Sequence, residues 1–175
     1  MPNIVLIGFM GTGKSAIGRV VARSLNYEFI DTDQMIEEVT GLTVNQIFRK
    51  HGEIRFRSEE ELILNKLAKR DQLVIATGGG AILNPQSMEA LKKNGYFVLL
   101  TADPEVVLER VSRKNTRPLL AKGRNLDNIN KLLAERKDGY LRYADSIINT
   151  SHQDIEESAK QIIRIVKEKW SYEKS

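Results

Sequence analysis

The chain has 175 residues, of which 41% are hydrophobic and 29% are charged, and its formal net charge is +4. This size and composition predict one soluble domain with a substantial core. They exclude a bilayer-spanning segment, because no apolar run is long enough, and the lack of cysteine excludes disulfides and thiolate metal sites.

The start of the chain and its charge indicate where the protein is located and which partners it binds. A strand is predicted from residue 4, which leaves no room for a signal peptide, so we expect a cytoplasmic protein. The mild basic balance has no aromatic-and-basic stripe beside it. We therefore expect small anionic ligands, with no nucleic acid and no membrane as partners.

The first predicted strand, Ile4–Ile7, leads into Gly8–Ser15, and a helix is predicted over Lys14–Leu25. The sequence GFMGTGKS matches G-x-x-x-x-G-K-[ST], the loop that binds nucleotide phosphates. Its backbone N–H groups and the helix N-terminus favour an oxyanion, Lys14 suits the β- and γ-phosphates, and Ser15 can hold Mg²⁺. We predict a nucleoside triphosphate site here, the alternative being an ordinary glycine-rich turn. The predicted nucleotide-binding residues of this loop are Gly11, Thr12, Gly13, Lys14, Ser15 and Ala16.

The second predicted strand, Glu28–Asp31, ends in Asp31-Thr32-Asp33. Ligands of parallel α/β sheets lie at the carboxyl ends of the strands, and alternation along an extended segment would point Asp31 and Asp33 the same way. Asp31 can reach Mg²⁺ through water, and Asp33 can accept a proton from a substrate hydroxyl. The alternative for Asp33 is the N-cap of the next helix.

Three helices are predicted next, over Asp33–Val39, Val44–His51 and Ile54–Arg70, with Thr43 and Gln46 forming a capping box before the second. Arg57 and Glu60 lie three residues apart, so Glu60 can hold the guanidinium in one orientation.

The third predicted strand, Leu73–Thr77, is followed by Gly78-Gly79-Gly80. Consecutive glycines at a strand end allow a ligand to approach the backbone closely. No Lys or Ser/Thr follows at phosphate-loop spacing, so we expect an acceptor surface rather than a second nucleotide site; a tight turn is the alternative.

The second half of the chain continues the alternation. Asn84 and Asp103 are predicted N-caps, each before a proline, and Arg117 lies in an irregular basic segment that we interpret as a flap. The predicted elements here are helices over Pro85–Lys93, Pro104–Arg113, Asp127–Tyr143 and Ile155–Trp170, and strands over Tyr96–Leu100 and Asp145–Asn149. Alternating strands and helices predict a three-layer α/β fold with a parallel sheet. The clusters together predict phosphoryl transfer to an acceptor hydroxyl.

These motifs, in this order and spacing, resemble the shikimate kinases. The segments that carry the resemblance are Gly8–Ser15, Asp31–Asp33, Gly52–Glu60, Gly78–Gly80, Arg117-Pro-Leu-Leu and Glu135-Arg136-x-x-x-Tyr140. The resemblance implies a nucleoside-monophosphate-kinase-like P-loop fold with five parallel strands in the order 2-3-1-4-5, in one domain over residues 1–175. It also implies a monomer that uses ATP and Mg²⁺ to phosphorylate the 3-hydroxyl of shikimate, with an acceptor-binding segment at about 32–60 and a lid at about 112–124.

The resemblance implies a role for each matching residue. Asp33 would bind the ring hydroxyls and assist deprotonation, while Lys14 and Arg117 would stabilise the transferring phosphoryl group. Ser15 and Asp31 would serve Mg²⁺, and Arg110 would lie against the adenine. The residues implied to bind shikimate are Asp33, Arg57, Glu60, Gly78, Gly79, Gly80 and Arg136.

The chain departs from this family in the loop after the last strand. Members often carry a proline there that packs on the adenine, whereas Thr150–Asp154 has none. His152 is a candidate for the base contact, and an exposed loop histidine is the alternative.

Two other functions stay open on the residues. A sugar acid such as gluconate has both a carboxylate and hydroxyls, so a gluconate-type kinase fits paired arginines and an aspartate. A non-catalytic nucleotide-binding regulator is the other, although such proteins usually lose at least one of the residues named above.

Overall fold

The computed structural model describes residues 2–113 and 125–172, and within them five parallel strands form one sheet. The strands are β1 (Asn3–Ile7), β2 (Glu28–Asp31), β3 (Leu73–Ala76), β4 (Gly95–Thr101) and β5 (Ser146–Asn149). Their order across the sheet is β2-β3-β1-β4-β5. Every residue of β1 and β3 is buried, as continuous apolar runs require in a sheet covered on both faces. The predicted strand order is confirmed.

Helices cover both faces of this sheet. Alternate residues of β1 point into two separate cores: Val5 and Ile7 into one, Ile4 and Leu6 into the other. The helices are α1 (Lys14–Leu25), α2 (Thr32–Thr40), α3 (Val44–Leu67), α4 (Pro85–Lys92), α5 (Pro104–Ser112), α6 (Leu126–Tyr143) and α7 (Ile155–Tyr172), with a 3₁₀ turn over Ala81–Leu83. Helices α1 and α7 close the second core, and the helices from α2 to α6 close the first, so the predicted three layers are confirmed.

The predicted N-cap positions Thr43, Asn84 and Asp103 are confirmed, although Asp103 lacks the predicted side-chain contact. The Thr43–Gln46 capping box begins α3, and the Asn84 side chain accepts from the Ser87 N–H at α4. Asp103 makes no side-chain cap bond at α5. Instead, the carboxylate of Asp103 lies 3.5 Å from His152 Nε2, and the Asp103 N–H donates to the Ser151 hydroxyl at 2.7 Å.

The two helices predicted over Val44–His51 and Ile54–Arg70 correspond to the two parts of α3, which are separated by a kink at Gly52. Gly52 has φ 80° and ψ 174°, which is not a helical conformation and is one that favours glycine. The bend separates the segment before it from the segment that carries Arg57 and Glu60.

None of the helices that the structure describes combines the length and apolarity needed to span a bilayer.

Candidate functional site

A cavity of about 390 Å³ lies where the carboxyl ends of the strands meet the N-terminus of α1. Its lining brings together predicted residues from both halves of the chain. Those predicted residues are Gly11, Thr12, Gly13, Lys14, Ser15, Ala16, Asp31, Asp33, Arg57, Gly79, Arg110 and Arg136. Glu60, Gly78 and Gly80 lie directly behind this lining. Residues 114–124 of the predicted lid, with Arg117, lie outside the described residues.

The phosphate loop and the first residues of α1 line the cavity. The N-cap of α1 is Gly13, at φ 98°, and no side chain caps the helix. The first N–H groups of α1 therefore face the loop, where the helix dipole favours an anion. Lys14 Nζ donates to the carbonyls of Gly8 at 2.7 Å and Phe9 at 2.8 Å, which keeps the ammonium over the loop.

Ser15 and Asp31 meet beside this loop. The Ser15 hydroxyl donates to Asp31 Oδ2 at 2.5 Å, so a hydroxyl and a carboxylate lie together at the position expected for the metal. Oxygen ligands of this kind suit Mg²⁺. Among the described residues, no group of three or more His, Cys, Asp or Glu is arranged to hold a metal ion.

The two aspartates at the end of β2 and the start of α2 are not placed by strand alternation. Asp31, not Asp33, is the N-cap of α2, because its Oδ1 accepts from the N–H groups of Asp33 and Gln34. Alternation does not apply, since the chain is helical from Thr32 onward. Both aspartates nevertheless line the cavity. The first turn of α2, rather than an extended strand, aims Asp33 inward.

Arg57, which also lines the cavity, is held by two carboxylates of α3. Arg57 Nη1 donates to Glu60 Oε1 at 2.9 Å, and Nη2 donates to Glu53 Oε1 at 3.3 Å. Glu60 is fully buried. Burial raises the pKa of Glu60, although the Arg57 guanidinium opposes that rise. The predicted orienting contact between Glu60 and Arg57 is present.

Arg136 forms the neighbouring wall. It is 5% exposed, and its guanidinium lies 5.7 Å from the centre of the Phe9 ring. In the described part of the chain, Arg136 Nη1, Arg57 Nε and Glu60 Oε2 are buried without a hydrogen-bond partner. A buried polar group left unpaired costs about 1–3 kcal/mol, so unpaired cationic donors at a cavity wall suit an anionic ligand.

The glycine segment after β3 lets both arginines approach the backbone. A Cβ at Gly80 would lie 2.3 Å from Arg57 Nη2, and a Cβ at Gly79 would lie 3.4 Å from Arg136 Nη1. A side chain at Gly80 would displace the guanidinium, and one at Gly79 would crowd it.

On the nucleotide side, Arg110 links the phosphate loop to the loop after β5. Its Nη1 donates to the Gly11 carbonyl at 3.1 Å, and its Nη2 donates to the Thr150 carbonyl at 2.8 Å. The Thr150 hydroxyl donates to the Thr12 carbonyl at 2.7 Å. His152 is 85% exposed and is absent from the cavity lining, whereas Gln153, Asp154 and Ile155 belong to it.

Sequence reasoning gave no role to several residues that shape the site. Thr150 is one, and its position directly after β5 is the signal that points to it. Tyr140 is another: its hydroxyl donates to the Gly79 carbonyl, and its spacing of four residues from Arg136 places both on one face of α6. Phe48 and Phe56, with ring centres 4.9 Å apart, form an apolar wall of the cavity.

Comparisons with known proteins agree with this geometry. The family model described as shikimate kinase matches residues 10–167. A shikimate kinase from Pelotomaculum thermopropionicum is 52% identical over 168 residues, which are 96% of this chain and 97% of that protein. One from Caldanaerobacter subterraneus subsp. tengcongensis is 48% identical over 94% of this chain and 95% of that protein.

Solved structures share the fold. The shikimate kinase from Acinetobacter baumannii, in complex with shikimate, matches with a TM-score of 0.92 at 39% identity, over 97% of this chain and 94% of that chain. A gluconokinase from Sinorhizobium meliloti matches with a TM-score of 0.55 at 16% identity, over 99% of this chain and 98% of that one. At that identity the likeness concerns the fold alone.

Proposed function

This chain belongs to the shikimate kinase family, and we propose that it transfers the γ-phosphate of ATP to the 3-hydroxyl of shikimate. One observation carries the choice of acceptor. Two arginines, the half-buried Arg57 and the buried Arg136, both line the cavity and each has a buried N–H group without a hydrogen-bond partner among the described residues. A planar carboxylate matches guanidinium donors of this kind, and a carboxylated acceptor bound there points its hydroxyls toward Asp33 and Lys14.

We assign the chemical step to positioning and charge. Asp33 accepts a hydrogen bond from the attacking hydroxyl and assists its deprotonation, and Lys14 stabilises the transferring phosphoryl group. The N–H groups of the phosphate loop from Gly11 to Ala16 hold the donor phosphates. Because phosphoryl transfer needs little covalent help from the protein, fixing donor and acceptor in line supplies most of the catalysis.

Ser15 and Asp31 are the residues that would hold Mg²⁺, which neutralises phosphate charge when it is bound. The contact between the Ser15 hydroxyl and the Asp31 carboxylate supports this assignment. We further propose that Arg110 contacts the base and that Ile155 lies on the same side of the cavity. Arg117 in the lid keeps its predicted role over the phosphoryl group.

The remaining proposals concern the whole enzyme. We propose that the segment at about 32–60 binds the acceptor and that the lid closes over the nucleotide. Nucleotide and acceptor walls come from one chain, so a monomer is sufficient. The absence of cysteine favours a reducing compartment, and we propose the cytoplasm.

A coupled ADP-release assay with shikimate, quinate and gluconate as acceptors tests this function. We expect shikimate-dependent turnover that needs both ATP and Mg²⁺. Turnover with gluconate but not with shikimate would overturn the proposed acceptor. ATP binding without turnover of any acceptor would favour a nucleotide-binding regulator.

A further inference from the structure

The acceptor wall contains one contact that none of the roles above explains. The hydroxyl of Tyr140 on α6 donates to the carbonyl of Gly79 at 2.5 Å. Tyr140 is 5% exposed and is absent from the cavity lining, so it touches the backbone behind the acceptor site rather than the cavity itself.

Tyr140 remains a hydrogen-bond donor at any physiological pH. Burial raises the pKa of Tyr140 to about 12, and the nearby Arg136 and Arg57 oppose that rise more weakly. The protonated phenol therefore faces the Gly79 carbonyl, while both arginines of the acceptor wall are near enough to influence its ionisation.

This contact orients a peptide unit that has no side chain to hold it. In a planar trans peptide the N–H of Gly80 points opposite to the carbonyl of Gly79, so fixing one fixes the other. Glycine segments have the largest conformational freedom to lose on ordering. A hydrogen bond from another element therefore restricts the backbone more at this position than at a residue with a side chain.

The packing of α6 supports the hydrogen bond between Tyr140 and Gly79. A Cβ at Gly139 would lie 2.6 Å from Ile82 Cδ1, in the 3₁₀ turn that follows the glycine segment. The helix therefore approaches this turn closely beside Tyr140. One helix thus supplies both a guanidinium to the acceptor wall, from Arg136, and the contact that fixes the backbone next to it.

We infer that Tyr140 is a positioning residue for the acceptor, whose hydroxyl holds the Gly79–Gly80 peptide in the orientation that the bound acceptor and the two arginines require. This inference rests on the proposed function. A positioning role differs from a general packing role, because loss of the Tyr140 hydroxyl then affects binding of the acceptor and not binding of the nucleotide.

The test compares Tyr140→Phe with Tyr143→Phe in steady-state kinetics at 25 °C. Tyr143 is its matched control: it lies one turn later on α6, is 3% exposed, and its hydroxyl has no hydrogen-bond partner among the described residues. We expect Tyr140→Phe to raise the KM for shikimate about 5- to 30-fold, as the loss of one buried hydrogen bond implies, with the KM for ATP within about twofold of wild type. Tyr143→Phe should leave both KM values near wild type.

Hydrogen exchange of residues 78–83 is the second readout, and it should become faster in Tyr140→Phe alone. A Tyr140→Phe enzyme with an unchanged KM for shikimate overturns the inference, even if its thermal stability falls. Equal increases in both KM values overturn it as well, because they indicate general loosening. If the wild-type enzyme does not phosphorylate shikimate, the proposed function fails, and the inference fails with it.

Discussion

The guanidinium of Arg57 packs directly on the Cα of Gly80, where a Cβ would lie 2.3 Å from Nη2 and 2.7 Å from both Cζ and Nη1. Arg57 has little freedom to retreat, since Glu60 and Glu53 hold its two terminal nitrogens from the other side. A helix of the acceptor segment and the glycine loop after β3 thus fix a single cation between them. This arrangement explains why a glycine stands at the end of the segment.

Gly80→Ala tests this close approach. The backbone at Gly80, with φ −102° and ψ 8°, accommodates alanine without strain, so the effect of the methyl group falls on Arg57. We expect the KM for shikimate to rise about tenfold or more, an effect of 1.4 kcal/mol or more, with the KM for ATP unchanged. Unaltered acceptor kinetics would show that Arg57 can move aside at no cost.

Arg136→Ala tests the second arginine. Removing a charged donor from an anion should cost about 1.5–3 kcal/mol, or about 10- to 150-fold in shikimate affinity measured by calorimetry. Arg142→Ala is the control, because Arg142 lies on the same helix but is 66% exposed and 3.7 Å from Glu89. Equal effects of the two substitutions would contradict a specific contact between Arg136 and the acceptor.

Glu60→Gln tests the buried carboxylate through pH. Burial raises the pKa of Glu60 above its ordinary value of 4.5, which applies to the unfolded chain. Above that pH the unfolded state releases this proton first, so the contribution of Glu60 to stability is full below 4.5 and is lost as pH rises through the folded pKa.

The glutamine side chain cannot ionise, so its contribution to stability does not decrease as pH rises. We therefore expect the free energy of unfolding of the wild type, relative to Glu60→Gln, to decrease from pH 4.5 toward neutrality in urea titrations. A relative stability that increases with pH would mean that the ion pair with Arg57 outweighs burial.

Asp33→Asn tests the assignment of the base. General-base assistance contributes about 10²- to 10⁴-fold, so we expect kcat to fall by at least about 100-fold while ATP affinity stays near wild type. Asp138→Asn, at an exposed position of α6, should change neither quantity. Near wild-type kcat in Asp33→Asn would remove the catalytic role of this carboxylate.

Local patterns predicted the parts of the site that neighbouring residues create. The phosphate loop, Lys14 and Ser15 follow from one strand, one turn and one helix. The pair Arg57 and Glu60 follows from their spacing of three residues. Capping of α2 by Asp33, the alternative considered for that residue, is wrong. The helix begins at Thr32, one residue earlier than predicted, so Asp31 is the cap and Asp33 lies in the first turn.

Contacts between distant segments account for what the sequence did not reveal. The bond from Tyr140 to Gly79 spans 61 positions, and the bond from Thr150 to Thr12 spans 138. No periodicity or motif in the sequence predicts either bond, because each depends on how the fold brings two distant segments together. The strand order came from the family resemblance, since alternation alone leaves several parallel orders open.

Identification of the product tests the central claim most directly. Purified enzyme, ATP, Mg²⁺ and shikimate should yield a single phosphomonoester in ³¹P NMR, coupled to the proton on carbon 3 of the ring. Shikimate recovered without phosphate while ATP is bound, or phosphate attached at another hydroxyl, would contradict the account.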